Sequence, residues 1–154
     1  MVLQCAVHSA LSKNAMGVLE KLTQTGANVI PIMSEMSYNT DTRFGKAEDF
    51  RTNITNLTGN NIICCVKDAE PIGPKNLLDL LVVLPCTGNT LAKIANGIAD
   101  TSVTMAVKAH LRNQKPVLLA VSTNDGLGTA AKNYRNTSKL QKFYIFCLSH
   151  KMTT

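Results

Sequence analysis

The sequence predicts a three-layer α/β/α architecture in which a mostly parallel sheet carries helices on both faces. Short β-branched runs alternate with longer helical stretches, the order typical of parallel sheets. The run 80–84 (LLVVL) is continuously apolar, as expected for a central strand covered on both sides. The 154 residues, 45% of them apolar, suit one domain with an aliphatic core.

The first half of the chain supplies two helices and two strands. Apolar side chains at helical spacing predict a helix over 14–25, which Gly26 ends. The run 28–33 (NVIPIM) predicts a strand, although Pro31 restricts it. Residues 35–45 are polar and without period, which predicts a loop. A second helix over 46–57 closes at Thr58-Gly59, and 61–66 (NIICCV) is a candidate third strand.

The second half continues the alternation. Pro71, Gly73 and Pro74 argue against regular structure before the strand at 80–84. Helices are predicted over 90–98 and 102–113, and 116–121 (PVLLAV) is the last clear strand. Ligands bind beyond the carboxyl ends of the strands in such sheets, so the loops at 34–45, 85–90 and 122–126 are expected to share one rim.

Composition excludes several classes of function. Five of the 16 basic residues and none of the ten acidic ones lie in 132–154, so the net charge of +6 describes a basic tail and not a nucleic-acid-binding face. The five cysteines are odd in number and lack metal-ligand spacing, which argues against a disulfide framework or a metal site. No apolar run is long enough for a bilayer, and no signal-peptide pattern opens the chain. We therefore expect a cytoplasmic domain that binds neither membranes nor nucleic acid.

The segment 85–100 (PCTGNTLAKIANGIAD) is the richest in chemistry. A buried strand ends there, and a tight Thr-Gly-Asn turn opens a helix. Such a turn offers backbone N–H groups, hydroxyls and an amide to a phosphate or a heteroaromatic ring edge. The residues alone leave a second interpretation open, in which the turn only caps the helix.

This segment resembles the Pro-Ala-Ser-Ala-Asn-Thr motif and following helix of the homo-oligomeric flavin-containing cysteine decarboxylase superfamily. Three further stretches, 39–45 (NTDTRFG), 69–74 (AEPIGP) and 122–125 (STND), make the chain similar to one branch, the flavoprotein-like subunits of dipicolinate synthase. The resemblance covers roughly residues 14–133. It implies a Rossmann-like flavoprotein fold with FMN as cofactor.

The resemblance also implies a set of site residues. Cofactor contacts fall on Ser34, Thr87, Gly88, Asn89, Thr90 and Ser122. A flap containing Asn39, Thr40, Thr42 and Arg43 would meet an acidic substrate, and the Arg43 guanidinium suits a dicarboxylate because it binds carboxylates in a bidentate fork. As an alternative, Arg43 is a solvated loop charge. No catalytic residue and no metal ligand is assigned.

Several residues depart from the decarboxylase pattern or have structural interpretations. The superfamily's decarboxylases carry a catalytic His where this chain has 70–74 (EPIGP), which argues against cysteine decarboxylation. Glu70 is an acid or base candidate there, but a structural loop is favoured. His110 is expected to be structural, Cys64 and Cys65 to be core residues of a strand, and Cys86 to be an unactivated thiol.

Both ends of the chain depart from the superfamily. Its first strand leads into a Gly-Ser loop that meets the flavin phosphate, whereas 4–11 (QCAVHSAL) holds no glycine. We therefore expect a flavoprotein-like α/β domain over 1–131, aberrant in 1–13, followed by an aberrant basic tail over 132–154 that replaces the superfamily's C-terminal portion.

A shift of reading frame accounts for both ends. With permissible codons, 1–12 read from each codon's third base becomes Gly-Phe-Ala-Met-Cys-Gly-Ser-Phe-Cys-Thr-Phe. The same shift over 144–154 gives Tyr-Phe-Leu-Pro-Phe, one free position, then Gln-Asp-Asp-Tyr. We hypothesise that the frame returns near 12–16 and departs between about 131 and 138, and codons incompatible with these strings would exclude it.

The implied function is that of a flavin-binding component of dipicolinate synthase in a sporulating bacterium. With a Rossmann-type partner that carries NADP, the A component of that enzyme, it would oxidise a dihydro- or hydroxytetrahydro-dipicolinate to pyridine-2,6-dicarboxylate. The alternatives are another flavin-dependent decarboxylase or prenyltransferase of the superfamily, or a non-catalytic flavin-binding scaffold. Asn89, in place of the Lys of prenyltransferase turns, argues against prenyl transfer. Homo-oligomers are expected, because flavin sites in the superfamily often lie at interfaces between protomers.

Overall fold

The computed structural model describes residues 2–7, 13–42, 45–123 and 145–151, with side chains over 16–42 and 45–121. Six strands are described: β1 (Val2–Val7), β2 (Asn28–Val29), β3 (Ile32–Met33), β4 (Leu80–Cys86), β5 (Val117–Thr123) and β6 (Ile145–Lys151). The helices are α1 (Lys13–Gln24), α2 (Glu35–Asn39), α3 (Ala47–Thr58), α4 (Val66–Ala69), α5 (Gly88–Ala95) and α6 (Ser102–Leu111), with a 3₁₀ helix at Glu70–Ile72.

The strands form one sheet in the order β2-β1-β4-β5-β6, with β3 also beside β1, and every described pairing is parallel. The predicted parallel α/β class is confirmed. The chain moves outward from β1 to β2 and β3 in one direction, and from β4 to β5 and β6 in the other. The order therefore reverses between β1 and β4, where open α/β sheets form their ligand crevice.

Two clusters of buried apolar side chains hold the layers together. One joins β4 and β5 to α5, α6 and the 3₁₀ helix, through side chains such as Leu81, Leu91 and Val107. The other joins β2 and β3 to α1 and α3, through Leu19, Val29 and Ile54. Burial of these aliphatic side chains away from water is the main stabilising contribution to the three layers.

The segment 28–45 differs from its prediction in two places. The strand predicted over 28–33 is split into β2 and β3, and Pro31 lies in the break because it has no N–H for a ladder bond. The loop predicted over 35–45 begins with helix α2, whose N-cap is Ser34. The loop prediction was wrong there because a five-residue helix is too short to show an apolar period.

The strand predicted over 61–66 is wrong as well. Ile63 makes a single parallel bridge to Ile32, after which the chain turns into α4 at Val66. Cys64 and Cys65 are half-buried at that turn and are not members of a strand core. β-branched and sulfur side chains predict a strand by composition, but a partner along the sheet edge decides whether one forms.

The proline- and glycine-rich segment before β4 packs closely on α6. Gly73 is buried, and a Cβ added there would lie 2.6 Å from the Ala109 carbonyl oxygen. The Asn113 side-chain amide donates to the Gly73 carbonyl oxygen at 2.9 Å. The φ of Gly73 is −71°, which any residue can adopt, so the backbone conformation does not require glycine. The close approach to Ala109 requires it. Among the described residues, no helix has the length and apolar character that a membrane span requires.

Candidate functional site

The turn from β3 to α2 places Ser34 at the carboxyl edge of the sheet. Met33 pairs with Val7, so Ser34 is the first residue beyond that pair. Its side chain, 3% exposed, accepts from the Ser37 N–H at 3.3 Å and lies 2.9 Å from the Ser37 hydroxyl. A hydroxyl has one donor and two acceptor positions, so two bonds leave Ser34 Oγ room for a third partner.

The turn from β4 to α5 repeats this arrangement at Thr87. Thr87 has extended backbone, and its hydroxyl accepts from the Thr90 N–H at 3.3 Å and lies 3.1 Å from the Thr90 hydroxyl. Thr90 is 3% exposed, and its hydroxyl supports the Thr87 turn from the protein interior. The neighbouring Asn89 is exposed. The N–H groups of Gly88 and Asn89 belong to the first helical turn, which helical hydrogen bonds leave open to a ligand.

Ser122 lies next to Thr87 in register. Cys86 pairs with Val121, so Thr87 and Ser122 are the next residues beyond one pair of the β4–β5 ladder. Ser34 directly follows β3, and Thr87 directly follows β4, both at the carboxyl edge of the sheet. The two residues thus lie on either side of the reversal of strand order between β1 and β4. The register therefore brings the six predicted cofactor residues to one rim, with the side chain of Ser122 outside the described part.

The predicted substrate flap is only partly described. Asn39 is exposed at the end of α2, and its amide donates to the Glu35 carbonyl oxygen at 3.0 Å. Thr42 exchanges two backbone hydrogen bonds with Gly45, at 3.0 and 3.1 Å. Arg43, the predicted carboxylate ligand, lies outside the described residues. The flap's two ends are thus fixed by hydrogen bonds within the chain.

Helix α2 is held by α3. The Arg51 guanidinium donates to the Tyr38 carbonyl oxygen at 2.7 Å and lies 4.6 Å from the centre of the Tyr38 ring. One Asp41 carboxylate oxygen accepts from the Ala47 N–H at 2.8 Å and so satisfies the start of α3. Arg51 carries no signal of this role in the sequence, because only the fold brings it within reach of Tyr38, 13 residues earlier.

His110, interpreted as structural, lies near the start of β5, away from this rim. His110 is fully buried, with Nε2 3.0 Å from the Pro116 carbonyl oxygen and no hydrogen-bond partner on Nδ1 in the described part. Burial lowers the pKa of His110, and the bond to Pro116 opposes that shift. The structural interpretation of His110 is therefore supported by its burial and its backbone partner.

Three cysteines, Cys64, Cys65 and Cys86, have described side chains. Burial raises the pKa of the Cys64 thiol, and the neighbouring Cys65, Asp68 and Glu35 raise it further. Cys86 is fully buried at the end of β4, with its Sγ 3.8 Å from the Thr87 carbonyl oxygen. Within the described residues, no group of three or more His, Cys, Asp or Glu side chains is arranged to hold a metal ion.

Two described grooves lie along α6 and not at the rim. One, of about 450 Å³, is lined by Glu70, Pro74, Met105, Lys108, Ala109 and Arg112. The other, of about 310 Å³, lies on the far side of Lys108 and Arg112, beside Ile94 and Ile98. Neither contains a predicted cofactor residue. Glu70 is exposed in the first groove and begins the 3₁₀ helix Glu70–Ile72, so the loop expected there is helical, and Glu70 lies outside the rim.

A parallel sheet with helices on both faces and a reversal of strand order between β1 and β4 defines the Rossmann-like class of α/β proteins, in which ligands bind at the reversal point. Within that class, this chain belongs to the Flavoprotein family, whose model matches residues 2–152.

Among relatives of known sequence, the chain is similar to the B subunit of dipicolinate synthase from Bacillus subtilis. The two are 44% identical over 115 residues, or 75% of this chain and 58% of that protein. It is also 31% identical over 94% of its length to the bifunctional coenzyme A biosynthesis protein of the same organism, of which it covers 35%. The chain thus spans less than two thirds of these relatives.

Among solved structures, the chain resembles the dipicolinate synthase B subunit from Bacillus halodurans. The TM-score is 0.75 at 35% identity, over 94% of this chain and 75% of that one. A likeness to the FMN-dependent cysteine decarboxylase SpaF, with a TM-score of 0.77 at 24% identity over 97% of this chain and 83% of that one, shows the shared fold alone. The resemblance inferred from the sequence motifs is confirmed.

Proposed function

We propose that this chain binds FMN in the crevice between the carboxyl ends of β1 and β4. The observation that carries the proposal is the reversal of strand order there, with the Thr87 turn on one side and Ser34 on the other. Membership of the Flavoprotein family supports a flavin as the ligand.

The residues at the rim fit the polar parts of FMN. The first-turn N–H groups of Gly88 and Asn89 suit the oxygen atoms of a phosphate or a ribityl chain. The hydroxyls of Ser34 and Thr87, each already bonded within its turn, are held in place before any ligand arrives. Thr90 supports Thr87, and Ser122 adds a polar residue from β5. Such preorganised donors lower the ordering cost of binding.

We propose further that the site belongs to a component of dipicolinate synthase of the B type. Oxidation of a dihydro-dipicolinate removes two electrons and two protons from the ring, and a bound flavin supplies a centre that accepts and passes on electron pairs. The Bacillus subtilis relative, 44% identical over 115 residues, supports this assignment. A partner of the A type with NADP, a homo-oligomer and a cytoplasmic role in sporulation complete the proposal.

In this proposal the flap would recognise the substrate. Asn39 and Thr42 lie on the segment that follows Ser34 along the chain, and Arg43 continues it. A guanidinium pairs with a carboxylate through two parallel hydrogen bonds, so Arg43 would select for the dicarboxylate. In this proposal the flap side chains bind and orient the substrate, and none of them is assigned a proton-transfer role.

The first experiment is a titration of FMN with the protein, followed by quenching of flavin fluorescence. We expect Thr87→Ala to raise the Kd for FMN at least about tenfold, as loss of a cap and a ligand contact would do. Asn60→Ala is the control, because the Asn60 amide donates to Asn28 and Val29 at the opposite edge of the sheet. Equal Kd values for the two variants would place the flavin elsewhere.

A version with both reading frames restored extends the titration. Binding by this version alone would support the family site and its dependence on the Gly-Ser loop, whereas quenching by neither version would overturn the flavin proposal. Activity is then measured with and without the A-type partner, by the absorbance of the aromatic product. Turnover only with the partner supports the oxidoreductase assignment, and flavin binding without any turnover supports the scaffold alternative.

A further inference from the structure

The backbone of Met33 is held on one side by an unusual pair of partners. Its N–H donates to the Ile63 carbonyl oxygen at 2.9 Å, and the Ile63 N–H donates to the Pro31 carbonyl oxygen at 2.9 Å. Its carbonyl oxygen accepts from the hydroxyl of Ser102 at 2.5 Å. Ser102 is the first residue of α6, lies 69 positions later and is fully buried.

The Ser102 hydroxyl supplies the hydrogen bond that a neighbouring strand would otherwise donate to the Met33 carbonyl oxygen. The bonds around Ile63 are one rung of a parallel ladder, and the next rung would bring the Cys65 N–H to the Met33 carbonyl oxygen. The chain has left the sheet edge by then, because Cys65 is the N-cap of α4. A buried carbonyl without a donor is costly, and Ser102 supplies that donor.

We infer that Ser102 is a positioning residue for Ser34, so that the start of α6 sets the place of the β3–α2 turn. Met33 directly precedes Ser34, so fixing the Met33 carbonyl fixes the peptide plane from which the Ser34 side chain leaves the sheet. Ser34 in turn holds α2 through the N–H groups of Ser37 and Tyr38. As a cofactor-positioning device, this inference rests on the proposed flavin site.

A matched pair of variants separates positioning from general stability. Ser102→Ala removes the donor to Met33. Thr104→Val, two residues on and 3% exposed, removes a hydroxyl whose described bonds stay within the cap of α6, to Thr101. Both variants lose a buried hydroxyl from the same helix end, but only the first releases the β3–α2 turn. Ser102→Cys restores a weak donor of similar size.

The first readout is amide hydrogen exchange without flavin. We expect the Ser37, Tyr38 and Thr40 amides to exchange about tenfold faster in Ser102→Ala than in the parent. The Leu91 amide of α5, which donates to the Thr87 carbonyl oxygen, is expected to keep its rate. Thr104→Val is expected to leave all four rates unchanged. Unchanged rates in Ser102→Ala would overturn the inference whether or not FMN binds.

The second readout is the Kd for FMN, measured well below the unfolding midpoint of each variant. We expect a rise of about tenfold for Ser102→Ala, the parent value for Thr104→Val and an intermediate value for Ser102→Cys. A parent that fails to bind FMN would overturn the proposed function, and the exchange rates would then decide the positioning role alone. A parent that binds, with Ser102→Ala equal to it, would overturn the inference and leave the proposed function standing.

Discussion

The two turns at the rim share one design but differ in what holds them. In each, a strand ends, a hydroxyl residue with extended backbone caps the next helix, and a second hydroxyl follows three residues later. The β4–α5 turn is local, because the partners of Thr87 lie within the helix that it starts. The β3–α2 turn depends on residues far along the chain, since Ser102 holds Met33 and Arg51 holds Tyr38.

This difference explains why the sequence predicts helix α5 but gives a loop over 35–45, where the structure has α2. Helix α5 has eight residues and an apolar face directed at the core, so its sequence is sufficient to indicate it. Helix α2 has five residues, and tertiary contacts supply most of its stability. We therefore expect substitutions at distant residues to loosen the β3–α2 turn more than the β4–α5 turn.

Gly73→Ala is expected to have the largest effect. The new Cβ would meet the Ala109 carbonyl oxygen at 2.6 Å, so α6 must move, and Ser102 with it. We expect a loss of roughly 1–3 kcal/mol in the free energy of unfolding, measured by urea denaturation. Faster amide hydrogen exchange in α2 than in α5 in this variant would support the contrast between the two turns.

The control is Gly17→Ala in α1, where an added Cβ would have no heavy atom within 4 Å. We expect it to raise stability by about 0.5–1 kcal/mol, because alanine favours the interior of a helix. A loss of stability in both variants would contradict the steric explanation for Gly73.

Arg51→Ala is expected to have a smaller effect that stays at the β3–α2 turn. It removes the donor to the Tyr38 carbonyl oxygen and the cation over the Tyr38 ring, which together contribute about 1–2 kcal/mol. Amide exchange at Tyr38 and Thr40 measures the loss. Arg51→Lys keeps the charge without the planar fork and is expected to recover only part of it. An equal increase in the exchange rate of the Leu91 amide in Arg51→Ala would argue against separate stabilisation of the β3–α2 turn.

His110→Gln tests the far end of α6 and is expected to have the smallest effect. Burial holds the pKa of His110 below its unfolded value of 6.5, so the unfolded chain binds the proton more readily. This residue's contribution is therefore complete above pH 6.5 and is lost as the pH falls from 6.5 toward the folded-state pKa. Gln retains a donor for the Pro116 carbonyl oxygen and does not titrate.

The measurement is the free energy of unfolding of both proteins from about pH 7.5 to about pH 5, the range over which an imidazole titrates. It is taken as a difference between the two proteins so that His8 and His150 cancel. The parent is expected to lose more stability than the variant on acidification. A difference independent of pH would mean that His110 keeps its ordinary pKa in the folded protein.

Much of the candidate site was within reach of the sequence. Thr87, Gly88, Asn89 and Thr90 form a contiguous motif at the end of an apolar strand, so one local pattern locates them together. Ser34 and Ser122 were implied by the family resemblance, and the rule that ligands bind at the carboxyl ends of parallel strands is consistent with their positions. Ser102 and Arg51 carry no such signal, because a serine at a helix start and an arginine on a helix face are ordinary in isolation.

The sequence by itself determined the parallel α/β class, the long helices, the central strand β4 and the Thr87 turn. Each of these depends on apolar spacing or capping within about a dozen residues, and such local preferences persist in the folded chain. The tertiary structure alone decided where β3 ends, that 63–66 leaves the sheet, and that α2 forms. Those regions are held by contacts between distant elements, such as the hydrogen bond from the Ser102 hydroxyl to the Met33 carbonyl oxygen, and a chain separation of 69 residues leaves no local trace in the sequence.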